Sequence, residues 1–111
     1  MLWNDLSDST IQDVRLDRNT ISVLIAKYDL AMVRYCFTDV YGMQSFSPIG
    51  EELSGGGEDK AQEEFRARCC LLAEEPECEA RVFTFWSAFG EIPVLTVVAM
   101  SCRREELGSA D

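Results

Sequence analysis

The sequence predicts an α+β domain: a strongly twisted antiparallel sheet of five to six strands, with one helix at about residues 58–74 packed on it. Two apolar runs, 80–89 and 94–102, flank a Gly90-Glu91-Ile92-Pro93 break and read as an antiparallel hairpin. Both faces of that hairpin are apolar, so each needs a cover. A segment rich in Ala, Glu, Gln, Lys, Arg and Leu precedes it and suits a helix that could supply one cover. An all-β sandwich or half-open barrel is the alternative architecture. A length of 111 residues fits a single domain, 1–111.

The elements follow in order. Val14 and Leu16 alternate with Arg15 and Asp17, which predicts a strand over Thr10–Asp17. Arg18-Asn19 makes a tight turn. Thr20–Tyr28 is a second strand, with Ile21, Val23 and Ile25 on one face. After a turn at Asp29-Leu30, Ala31–Thr38 alternates Val33, Tyr35 and Phe37 with Met32, Arg34 and Cys36. These three strands form a meander. Val40–Met43 adds a short strand, and Ser47-Pro48 stops it.

The run 51–59 contains three consecutive glycines and is expected to be a flexible surface loop. A phosphate-cradling loop would need Lys followed by Ser or Thr, whereas Lys60 is followed by Ala61. For 58–75 the helical stripe is Ala61, Phe65, Cys69 and Leu72, with Pro76 as the stop. The competing reading is a strand alternating Phe65, Ala67, Cys69 and Leu71 with Arg66, Arg68 and Cys70. In the hairpin, Val82, Thr84, Trp86 and Ala88 oppose Phe83, Phe85, Ser87 and Phe89. Arg103-Arg104-Glu105-Glu106 then ends the last strand, and 108–111 is a tail expected to fray.

Ten basic and twenty acidic residues leave a formal charge of −10, which argues against nucleic acid and against an anionic membrane surface as partners. No apolar run approaches the roughly 20 residues that span a bilayer. The acidic opening has no leader character, so the expected location is the cytoplasm. Five cysteines, an odd number without a C-x-x-C pair, read as small buried hydrophobes with reduced thiols. With no histidine, a metal site or a histidine-based triad has no basis, and neither a cofactor nor a catalytic residue is assigned.

Residues 58–79 hold eight acids and three bases. Such a run is ordinarily a solvated face. The sharper reading makes Glu58, Asp59, Glu63, Glu64, Glu74, Glu75, Glu77 and Glu79 a surface for a basic protein partner. A competing class is a small-ligand carrier or carboxylate enzyme with a pocket lined by Tyr35, Phe37, Phe83, Phe85 and Trp86, although aromatics at such positions are ordinarily core. A homodimer kept soluble by its charge is the third reading.

The opening Trp3-x-x-Leu6-Ser7-Asp8-Ser9-x-Ile11, followed by β-hairpin strands, resembles small bacterial β-meander proteins that open Leu-His-Asp-Ser-x-Ile. Some of these are classed as immunity proteins of polymorphic toxin systems. The likeness covers roughly residues 3–47, and Ser7 stands where that pattern has histidine. It implies a small antiparallel domain that binds another protein. An immunity protein against a basic nuclease would be acidic, as this chain is.

Overall fold

In a computed structural model that describes residues 2–90 and 92–109, the chain is an antiparallel sheet with one helix packed on it, an α+β fold. The strands are β1 (Leu2–Trp3), β2 (Thr10–Asp17), β3 (Thr20–Ala26), β4 (Ala31–Ser45), β5 (Leu53–Glu58), β6 (Arg81–Ser87) and β7 (Pro93–Ser109). A 3₁₀ turn at Lys60–Gln62 runs into helix α1 (Glu63–Leu72). The sheet order is β1-β5-β6-β7-β4-β3-β2, so six longer strands carry a two-residue strand at one edge.

The meander β2-β3-β4 and the hairpin β6-β7 stand where periodicity put them. The long strands β4 and β7 join them, pairing from Ala31↔Ser109 to Ser45↔Leu95. The expected short strand at 40–43 is therefore the second half of β4. It is reached through Asp39, whose φ of 53° breaks the alternation, and through a register shift between Val40 and Gly42. Likewise β7 continues through Arg103–Glu106 to Ser109 rather than ending at the charges, because Arg34 pairs with Glu105 (3.5 Å) and the backbone finds a partner in β4. Glu91 of the break and Ala110 and Asp111 of the tail lie outside the described residues.

The curled sheet brings its far edges together at one point. Ile11 N–H donates to Glu51 O (3.2 Å), Gly50 N–H to Ile11 O (2.7 Å) and Leu53 N–H to Ser9 O (2.8 Å). These bonds join the start of β2 to the entrance of β5, and beyond Ile11 the described pairing stops. The half-open barrel thus describes how the sheet bends, and α1 keeps the fold in the α+β class.

Inside the curl, Ile21, Val23, Ile25, Val33, Tyr35, Phe37, Phe83, Phe85, Leu95, Val97 and Ala99 form the main core with Trp3, Leu6, Ile11 and Leu53. On the outer face, Val82 and Val98 pack with Cys69, Cys70 and Ala80 under α1. Both covers that the hairpin requires are present.

The glycine run is a strand, not a flexible loop. A β-carbon on Gly56 would lie 2.9 Å from Trp3 Cε3, 3.1 Å from Thr84 O and 3.2 Å from Phe85 Cδ1. Glycine is used here so that the Trp3 indole can lie against the backbone of β5. The helix expected at about 58–74 is present but shorter, since Glu58 ends β5 and Lys60–Gln62 is the 3₁₀ turn, and its stripe differs: Phe65, Cys69 and Cys70 face inward, while Ala61 and Leu72 are exposed. Phe89, expected on the same face as Phe83 and Phe85, lies past the end of β6 and is 72% exposed.

The reduced-thiol expectation is corrected for two cysteines. Cys70 and Cys78 form a disulfide, with Cα atoms 6.1 Å apart, and Cys36, Cys69 and Cys102 are free. Pro76 lies between the two, in the loop that returns the chain from α1 towards β6. The argument from thiols to a cytoplasmic location loses its support. Among the described residues no helix is long and apolar enough to cross a membrane.

Candidate functional site

The acidic segment wraps α1 from end to end, and its eight carboxylates fall into two sets. Five are engaged. Glu58 accepts from Arg81 (2.7 Å), which holds its carboxyl below the usual range. Asp59 caps the 3₁₀ turn by accepting from Ala61 N–H (3.0 Å) and also takes the Thr84 hydroxyl (3.1 Å). Glu63 grips the Arg66 guanidinium with both oxygens (2.8 and 2.6 Å) and is likewise lowered. Glu64 sits 3.6 Å from Arg68, and Glu75 accepts the Tyr41 hydroxyl. Glu74, Glu77 and Glu79 are exposed and have no ion-pair partner among the described residues.

The end of α1 explains how those three are held. Glu75 N–H donates to Cys70 O (2.9 Å) and Glu74 N–H to Leu71 O (3.0 Å), which is the Schellman arrangement. Glu74 occupies its left-handed position, at φ 62°, where glycine is the usual residue. The helix macrodipole is negative at this end and favours a cation. A glutamate here is unfavourable on both counts. Beyond it, the Cys70–Cys78 disulfide closes a ring of chain that contains Glu74, Glu75, Pro76 and Glu77. Arg66 ties the ring back to the helix by donating to Cys78 O (2.9 Å). The segment from Ala73 to Glu79 carries four acids and no base on a fixed backbone.

Four of the five aromatics expected to line a pocket lie in the main core. Tyr35, Phe37, Phe83 and Phe85 are fully buried and pack on one another and on Trp3, with ring centroids 4.2–6.3 Å apart. They fill the core. Trp86 is half-buried, is absent from that core and pairs with Gly55 and Pro93 next to register shifts in β5 and β6.

Sequence reasoning missed a charged cluster at the mouth of the main core. Arg104 forks onto both oxygens of Asp5 (2.7 and 2.6 Å), donates to Tyr35 Oη (3.0 Å) and reaches Glu106 (2.6 Å), while Lys27 Nζ lies 3.0 Å from Asp5. The Arg104 fork holds the Asp5 carboxyl far below the ordinary carboxylate range. Burial pushes the Tyr35 phenol well up. The pairing of Phe37, Tyr35 and Val33 with Cys102, Arg104 and Glu106 carries β7 past its charges and sets Arg104 beside Tyr35, a register that the sequence did not show.

Among the described residues each resolved shift moves the group's titration further from pH 7. Carboxyls fall, while tyrosines, lysine and arginines rise. Burial raises the Cys69 thiol and pushes Cys102 up to about 12, the opposite of a reactive thiolate. Acid–base and nucleophilic sites are tuned the other way. Among the described residues no cluster of His, Cys, Asp or Glu is arranged to hold a metal. No family model matches the chain, and neither a curated protein nor a solved structure matches it.

Proposed function

We propose that this protein is a non-enzymatic binding module that presents Glu74, Glu77 and Glu79, with Glu75 beside them, to a basic protein partner. The observation that carries this reading is Glu74: a carboxylate kept in a left-handed conformation at the negative end of a helix, where glycine would fold better. Backbone strain of this kind collects at working sites. The disulfide ring supports it, since a loop already ordered loses less freedom on docking. The direction of the titration shifts speaks for recognition rather than catalysis.

The narrower form is an immunity-type protein that neutralises a basic toxin, as the resemblance of the opening implies. A neighbouring open reading frame for a large basic toxin would supply the partner.

The test uses two variants. Glu74→Gly should raise stability by about 0.5–1 kcal/mol while weakening the salt-sensitive association with a basic partner. Glu74→Lys/Glu77→Lys/Glu79→Lys should abolish that association. Unchanged capture of a panel of strongly basic proteins by the triple variant, at low and physiological ionic strength, would refute the reading.

A further inference from the structure

A second surface stands at the end of the curled sheet, where the loop 46–52 meets the β6–β7 turn. The backbone there is pinned: Phe46 N–H donates to Val94 O (3.0 Å), Ala88 N–H to Glu52 O (2.8 Å) and Ser87 N–H to Ile92 O (2.8 Å). The Ser87 hydroxyl donates to Glu51 (2.5 Å) and accepts from Phe89 N–H (3.0 Å). On this braced frame Phe46, Ile49, Phe89 and Ile92 are 61%, 60%, 72% and 60% exposed. Large apolar side chains left exposed on segments that are pinned to one another point to an interaction surface. Two of the four are aromatic, the type that dominates binding energy.

The charge around the patch says what covers it. Between Arg34 and Lys60, and between Arg81 and Arg103, the chain has no lysine or arginine. The carboxylates of Glu51 and Glu52 stand in the same loop. Arg68, which lines the surface beside Gln44, is paired with Glu64 at 3.6 Å. Two copies meeting here would press acids against acids, in a chain of net charge −10.

We propose that this end of the molecule docks a basic protein segment, whose apolar side chains seat on Phe46, Ile49, Phe89 and Ile92 while its lysines or arginines face Glu51 and Glu52. It goes beyond the acidic loop of α1 and does not depend on it.

The probes are two short peptides of equal charge, one alternating Lys and Leu, the other Lys and Ser. The Lys/Leu peptide should bind at least about tenfold more tightly, and hydrogen exchange should slow across 46–52 and 87–94. Phe46→Ser/Phe89→Ser should erase the difference between peptides, whereas Glu74→Lys/Glu77→Lys/Glu79→Lys should preserve it, so that failure here is separable from failure of the acidic loop. If circular dichroism shows the double variant unfolded, Ile49→Ser/Ile92→Ser and the wild-type exchange footprint decide. Equal binding of the two peptides, or protection confined to other segments, would overturn the proposal. So would a concentration-dependent dimer lost in Phe46→Ser/Phe89→Ser, which would make a second copy the occupant. Co-sedimentation with phosphatidylcholine vesicles through the same residues would also overturn it, in favour of a lipid surface.

Discussion

On the inner face of β6 and β7, Phe83 and Phe85 meet aromatic rings from two other strands, in one core with Leu95, Val97 and Ala99. On the outer face of the same strands, Val82 and Val98 meet two cysteines, an alanine and the half-buried Tyr41 and Phe65. The inner face is sealed by interlocked volume. The outer face is too small for that and is sealed by a covalent bond, with Arg66 and Glu63 lashing the helix to the following loop. One pair of strands therefore divides a part that sets stability from a part that displays charge, and the second can be loosened without dissolving the first.

Breaking the inner face should have the largest effect. Phe85→Ala removes a fully buried ring in contact with Trp3, Tyr35 and Phe37, and about 3–5 kcal/mol of stability should go with it, measured by urea unfolding. Loss of less than about 1 kcal/mol would mean that the core is not the closed jigsaw described.

Cutting the outer seal should do less. Cys70→Ser/Cys78→Ser frees a short ring, for which loop entropy implies about 2–3 kcal/mol. Hydrogen exchange should quicken in α1 and in 73–80 while amides of β3 and β4 stay protected. Uniform exchange through both regions would erase the division.

The smallest effect belongs to the charged mouth of the core. Because Asp5 titrates lower in the folded chain than its ordinary 3.8, its contribution is complete above that value and is lost as pH falls below it. Asp5→Asn should cost about 1 kcal/mol near neutrality, the carboxyl being partly exposed, and its deficit against the parent should shrink progressively as pH falls below about 4. A deficit that stays constant over that range would show that the Arg104 fork contributes through shape alone.

What could be read in advance follows a physical line. Period-two alternation located β2, β3, the first half of β4 and the hairpin, because each has one face against a dense core. Helix composition prevailed over the competing strand at 63–72. Three features escaped. Glycines 55–57 look unstructured by composition, and the Trp3 ring that requires glycine at position 56 lies across the strand, far away in the chain. Cys70 and Cys78 read as hydrophobes because spacing alone does not show that Pro76 turns the chain back. Arg104 looked like a strand terminator, although β4 supplied a partner for the backbone beneath it. Of the eight acids, the sequence could not separate Glu74, Glu77 and Glu79 from those already paired with arginines, since pairing is a matter of three dimensions. The apolar end at Phe46, Ile49, Phe89 and Ile92 was hidden for the same reason: its halves lie some forty residues apart in the chain.

Strand β7 follows the other six in the chain, yet it lies in the middle of the sheet, between β6 and β4. While Pro93–Ser109 is still inside the ribosome, the meander and β6 have no common neighbour, and both present bare, greasy edges. Assembly of the sheet must then wait until β7 has emerged, and it is governed by distant pairings. A cell making this protein needs a holdase, or enough speed, to carry an open sheet through that interval without its joining another chain.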